Sequence, residues 1–101
     1  MATVVRFAFP NGEDKGDLEA DIALAIFAAE CVYGKPRVRM EASYLVSDDG
    51  TACVVQVDGE SGEAAARIFA GLASLRVGED GFQVRRRNTR SSRLETKSMT
   101  V

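Results

Sequence analysis

The sequence predicts a single α+β domain, built from a four-stranded antiparallel sheet and two helices. Three observations support this prediction: short segments with alternating apolar residues, longer segments with apolar residues at helical spacing, and the order of the two kinds along the chain. Strand patterns cover residues 3–9, 38–46, 53–57 and 82–87, and helix patterns cover residues 17–34 and a segment that begins near residue 61. This βαββαβ order is the ferredoxin-like split-βαβ arrangement, for which we expect strand order 4-1-3-2 with both helices on one face.

The first strand and the first helix carry signals for where they begin and end. The strand pattern stops at Pro10, because proline lacks the amide donor that a sheet requires. The acidic residues within 13–19 suit a helix N-terminus, where the helix dipole favours negative charge. Gly34 and Pro36 then end the helix in the usual way.

The two central strand patterns fit a hairpin around Asp49-Gly50. A two-residue type I′ turn at this position makes the residue numbers of each cross-strand pair sum to 99. A shift by one residue would divide the apolar side chains between the two faces. With the expected register, they gather on one face as Val38, Met40, Ala42, Tyr44, Val46, Cys53, Val55 and Val57.

The second helix is expected to begin at Ser61, a residue type that favours the N-cap position. The last strand is expected to turn Phe82 and Val84 towards the core. The apolar stripe of the second helix comprises Ala65, Ile68, Phe69, Leu72 and Leu75.

The charge of the chain is distributed unevenly. The net charge is −2 over 101 residues, but residues 1–84 carry seven Lys/Arg and fourteen Asp/Glu, whereas residues 85–101 carry six and one. We therefore divide the chain into a domain, residues 1–87, and a basic C-terminal tail, residues 88–101. Such a tail favours attraction to an acidic surface or to an anionic partner, although a solvated terminus fits equally well.

The first helix has more apolar surface than one core contact requires. One stripe, from Leu18 to Tyr33, is expected to face the sheet. A second stripe lies on nearly the opposite side, and a two-layer protein has no third layer to cover it. We expect it to be an interface between copies of the chain, a dimer first of all, or a surface covered by the tail. Its residues are Ala20, Leu24, Phe27 and Cys31.

Five arginines are expected to share the uncovered face of the sheet, although the domain as a whole is acidic. Arginine binds phosphate and carboxylate groups through its planar fork of donors. The alternative is that these are ordinary solvent-facing charges that protect strand edges from aggregation. The candidate ligand-binding residues are Arg6, Arg37, Arg39, Arg85 and Arg87.

Several kinds of chemistry have no support in the sequence. There is no histidine, which removes the commonest general base and metal ligand. Cys31 and Cys53 lie on different elements, and no glycine-rich segment has the spacing of a phosphate loop. We expect no catalytic residue, no metal and no cofactor, and we incline towards a protein that is not an enzyme.

Nothing in the sequence indicates a membrane protein. The longest mostly apolar stretch, residues 22–29, is far shorter than the roughly 20 residues of a spanning helix. The N-terminus has no basic residues ahead of its apolar ones, as a secretory signal would. We therefore expect a cytoplasmic protein without a membrane partner.

Our leading hypothesis is a small, non-enzymatic, homo-oligomeric module that binds a partner protein or a small anionic ligand. One alternative is a weak nucleic-acid binder that contacts the phosphate backbone through the basic tail. Sequence-specific RNA binding is disfavoured, because the outward positions of the first and third strands, such as Arg6 and Val54, hold no aromatic residue for stacking. A second alternative is an enzyme of the dimeric α+β barrel type, which shares the element order.

Overall fold

The computed structural model describes residues 3–88, which form an α+β fold with three helices and a four-stranded antiparallel sheet. The strands are β1 (Thr3–Ala8), β2 (Ala42–Val46), β3 (Ala52–Val57) and β4 (Gln83–Asn88). The helices are α1 (Lys15–Tyr33), α2 (Lys35–Glu41) and α3 (Glu60–Val77), and a 3₁₀ turn at Glu79–Gly81 precedes β4. The strand order is β2-β3-β1-β4. Most of the predicted tail, residues 89–101, lies outside the described residues.

The core lies on one side of the sheet, which we call the core side. Phe7 of β1 and Phe9, which follows β1, pack around Phe69 of α3. The ring centres of Phe7 and Phe69 are 4.8 Å apart in an edge-to-face arrangement. Leu18 and Ile22 of α1 complete this cluster. The expected core stripe of α1 is confirmed. Asp14 caps the N-terminus of α1, and its carboxylate accepts a hydrogen bond from the amide of Asp17. The other buried members are Val5, Ala25, Val46, Cys53, Val55, Val57, Ala66 and Ala73.

The second strand is shorter than expected, because its first half forms α2. Pro36 occupies the first turn of this helix, where its fixed φ angle suits the helix and its missing amide is not needed. Val38 is buried in a second small cluster with Ala29 and Ala65, while Met40 is 84% exposed. The expectation that Val38 and Met40 extend the apolar face of the sheet is therefore wrong.

The hairpin has the expected register but a different turn. Val46 pairs with Cys53, and Tyr44 pairs with Val55, as the sum of 99 requires. The amide of Gly50 donates to the carbonyl of Ser47, so Asp48 and Asp49 form the centre of the turn rather than Asp49 and Gly50. Gly50 has φ 73° and lies against the backbone of Glu13, which leaves no room for a side chain. The register is fixed by the apolar pattern, whereas the turn adapts to the neighbouring loop.

The N-terminus of α3 is capped from outside the helix. Gly59, rather than Ser61, is the N-cap residue, and Ser61 is fully buried. The hydroxyl and the amide of Ser61 both donate to Oε1 of Glu41, at 2.6 and 3.0 Å. These bonds hold the pKa of Glu41 below its usual range. A side chain at Gly62 would collide with the carbonyl oxygen of Glu41. The absence of a side chain at Gly62 therefore allows the end of α2 to lie close against α3.

Candidate functional site

Three arginines converge on the side of the sheet opposite to the core, which we call the open side. Side chains alternate along a strand, so Arg6 points away from the core contacts of its neighbours Val5 and Phe7. Arg85 lies directly opposite Arg6 in the β1–β4 pairing. Arg87 is two residues further along β4, on the same side, and all three arginines are exposed. We call Arg6, Arg85 and Arg87 the arginine triplet.

Among residues 3–88, the arginine triplet differs from four of the other five arginines in having no acidic partner. Within residues 3–88, four arginines make an ion pair of 4.0 Å or less with a carboxylate, namely Arg37, Arg39, Arg76 and Arg86. In the same part of the chain, the triplet forms none, and the strand residues of the open side include no Asp or Glu. Positive charge therefore accumulates on the open side, and no carboxylate within residues 3–88 forms an ion pair with it.

Arg86 shows what the same residue type does on the other side of the same strand. It pairs with Val5 and so points to the core side. There its two terminal nitrogens donate to the two carboxylate oxygens of Glu63 on α3, at 2.5 and 2.9 Å. This bidentate bond lowers the pKa of Glu63 and raises that of Arg86. This contact was not predicted from the sequence, although the alternation of Arg85, Arg86 and Arg87 already separates Arg86 from its neighbours.

The arginine triplet borders an open concavity of about 710 Å³. Its lining combines short or aliphatic side chains of β1 and β3 with arginine and glutamine residues of β1 and β4. Chemically, this arrangement offers hydrogen-bond donors and positive charge above an apolar surface. The lining residues are Val4, Arg6, Ala8, Val54, Gln83, Arg85, Arg86 and Arg87.

Arg37 and Arg39 do not belong to this face, and their expected position on the sheet is wrong. Both lie on α2, because the helix replaces the first half of the expected strand. Nε of Arg37 donates to Oε2 of Glu41 at 3.3 Å, and its guanidinium lies 5.2 Å from the ring centre of Tyr33. Nε of Arg39 is 4.0 Å from the carboxylate of Glu30. These two arginines make exposed contacts around α2 and are not brought together with the triplet.

The second apolar stripe of α1 is on the surface of the described chain. Leu24 is 52% exposed and Phe27 is 61% exposed, and Ala20 and Cys31 beside them are exposed as well. Cys53, by contrast, is fully buried, and burial raises the pKa of its thiol to about 12. The four stripe residues thus form one continuous patch, with Cys31 as its accessible thiol.

Residues 3–88 contain no group of three or more His, Cys, Asp or Glu side chains arranged to hold a metal ion. Over the same residues, no helix combines the length and the apolar character needed to cross a membrane. Comparison of the chain with protein-family models, with curated proteins and with solved structures found no significant match.

Proposed function

We propose that this protein is a non-enzymatic, homo-oligomeric binding module whose arginine triplet captures a small anionic ligand. The observation that carries the proposal is the placement of Arg6, Arg85 and Arg87 on one side of the sheet, with no acidic strand residue on that side. Arg6 and Arg85 are direct cross-strand neighbours, and like charges in that position destabilise a sheet. A bound phosphate or carboxylate relieves this repulsion and accepts hydrogen bonds from both guanidinium groups.

The test is thermal stabilisation by inorganic phosphate at constant ionic strength, in the wild type and in an Arg6→Gln/Arg85→Gln variant. A ligand that binds only the folded state raises the melting temperature according to its affinity. We expect phosphate to stabilise the wild type and to lose most of this effect in the double variant. Arg67→Gln is the matched control, since Arg67 is an exposed arginine of α3 that is not part of the triplet. Equal stabilisation of the wild type and the double variant would refute the proposal.

A nucleic-acid ligand is the second candidate, because the basic sequence continues beyond β4 with Arg90, Arg93 and Lys97. Binding to a phosphate backbone releases counterions, so affinity falls steeply as salt rises. A titration of single-stranded oligonucleotides at two salt concentrations separates the candidates. The small-ligand module is favoured if the protein binds inorganic phosphate and does not bind oligonucleotides with an affinity that falls steeply as salt rises.

The oligomer is proposed to form through the α1 patch of Ala20, Leu24, Phe27 and Cys31. These side chains are uncharged, and they are exposed on the described chain, so a second copy offers them a matching apolar surface. Burying a leucine or phenylalanine contributes about 1.5–3 kcal/mol relative to exposure. The tail, which lies outside the described residues, is the alternative cover for this patch.

Light scattering after size exclusion tests this interface. A dimer is expected for the wild type, and a monomer for Leu24→Ser/Phe27→Ser. The control is Leu75→Ser, which replaces a leucine that is 86% exposed on α3. A monomeric wild type would disprove self-association through α1 and would direct attention to the tail.

We also infer that the fold is of the ferredoxin-like type, with α2 as an addition to it. The strand order β2-β3-β1-β4 and the packing of α1 and α3 in one core cluster support this inference. The dimeric α+β barrel alternative requires two sheets to face one another. The open sides would then oppose the arginine triplets of two copies, and such juxtaposed like charges disfavour the closed barrel.

A further inference from the structure

The open side is chemically divided into two halves. Leu45 of β2, Val54 of β3, Arg6 of β1 and Arg85 of β4 are successive cross-strand partners and form one row across the sheet. The row therefore changes from aliphatic to cationic in its middle. Adjacent strands are about 4.8 Å apart, so the backbone positions of Leu45 and Arg85 are separated by roughly 14 Å.

The aliphatic half of this row is accessible to a ligand. Leu45 is 72% exposed, although it lies on a strand whose neighbour Val46 is buried. Val54, its cross-strand partner, is partly exposed. An inorganic anion at the arginine triplet would leave both of these aliphatic side chains in water. An anion with an apolar body would cover them while its charged group stays on the guanidinium groups.

We propose that the open side binds an amphipathic anion, with its charged group between Arg6 and Arg85 and its apolar part over Val54 and Leu45. This inference rests on the proposed function and names the class of its ligand: a phosphate monoester or carboxylate whose aliphatic body covers two neighbouring strands, which are about 4.8 Å apart. The row matches such a molecule in length and in the order of its chemistry.

Other occupants fit this row less well. The basic tail, or the open side of a second copy, would bring further positive charge to the arginine triplet. A nucleobase would find no aromatic partner, because the strand residues of the open side include none, and Tyr44 belongs to the core side as the partner of Val55. The proposed ligand is therefore a soluble amphiphile, and an anionic lipid surface is the competing occupant against which the experiment tests it.

The experiment compares hexyl phosphate with inorganic phosphate by calorimetric titration, at constant ionic strength and below the concentration at which the amphiphile aggregates. We expect hexyl phosphate to bind the wild type about ten-fold or more tightly than phosphate, because its methylene groups leave water. Leu45→Gln removes this advantage and leaves the affinity for inorganic phosphate unchanged. Leu75→Gln, which changes an exposed leucine on α3, keeps the full advantage.

The outcomes separate this inference from the function on which it rests. Equal affinity of the wild type for the two phosphates overturns the inference and leaves the anion site intact. Absence of binding to either phosphate overturns both. Vesicles containing phosphatidylglycerol form the third arm, and binding to vesicles without binding to hexyl phosphate also overturns the inference, in favour of a lipid surface. Retention of the ten-fold advantage in Leu45→Gln would contradict the assigned position of the apolar part.

Discussion

The two sides of the β1–β4 pair differ in how their arginines are paired. On the core side, Phe7 is buried against Phe69, and Arg86 makes a bidentate ion pair with Glu63. On the open side, the adjacent residues Arg6 and Arg85 face one another without an acidic partner among the described residues. On the core side, the hydrogen-bond donors of Arg86 are used by Glu63. On the open side, the donors of Arg6 and Arg85 have no acidic partner among the described residues. The core side therefore supplies stability, and the open side carries the unpaired donors on which the proposed binding depends.

The largest expected difference in the free energy of unfolding is between separate substitutions at Arg6 and Phe7, which are neighbours on opposite sides of β1. Phe7→Ala is expected to lower the free energy of unfolding by about 3–5 kcal/mol, because it leaves a cavity beneath Phe69. Arg6→Gln is expected to change it by less than about 0.5 kcal/mol, since Arg6 is exposed. Urea denaturation followed by circular dichroism measures both. A large loss for Arg6→Gln would mean that the open side is also structural.

Substitutions of two neighbouring arginines of β4 are expected to have smaller effects on the free energy of unfolding, with opposite signs on the two sides of the sheet. Arg86→Gln breaks the partly exposed pair with Glu63 and is expected to destabilise the fold by about 0.5–1 kcal/mol. Arg85→Gln removes a like-charge contact with Arg6 and is expected to stabilise it by about 0.2–0.5 kcal/mol. The same denaturation curves at low and high salt check the cause, because salt weakens both effects. Destabilisation of equal size in both variants would remove the distinction between the two sides.

The smallest effect concerns acid stability. The hydrogen bond from Arg86 lowers the pKa of Glu63 from its ordinary value of 4.5, so this contribution is present above pH 4.5 and is lost as the pH falls. Arg86→Gln should therefore lose less stability than the wild type as the pH falls below 4.5, whereas Arg85→Gln should follow the wild-type profile. Melting temperatures recorded across this range test the difference. Parallel profiles for the wild type and Arg86→Gln would show that the Glu63 contact contributes nothing to acid stability.

The parts of the structure that follow from local periodicity were predictable from the sequence. The alternation in β1 and β3 predicts which side chains meet in the core, and the apolar pattern fixes the hairpin register. The same alternation correctly placed Arg6, Arg85 and Arg87 on one side of the sheet. Whether a ligand binds there stays a prediction.

The errors occur where a contact between distant segments overrides the local pattern. Residues 35–41 alternate like a strand, but Pro36 and the burial of Val38 favour a helix. Ser61 resembles an N-cap, yet the carboxylate of Glu41, 20 residues earlier, accepts its amide. The capping of α3 by Glu41 has no local signal in the sequence, and the alternation of residues 35–41 conceals the displacement of Arg37 and Arg39 from the sheet. Pro36, two residues after Gly34, was the available signal that a new helix begins.

The most direct test of the arginine triplet is a nuclear magnetic resonance titration of the full chain with inorganic phosphate at constant ionic strength. We predict that the side-chain Nε–H signals of Arg6, Arg85 and Arg87 shift together along one binding curve, while those of Arg37 and Arg39 on α2 stay in place. Shifts of equal size on both sets, or no saturable shift on the triplet, would contradict the assignment of the open side as the binding face.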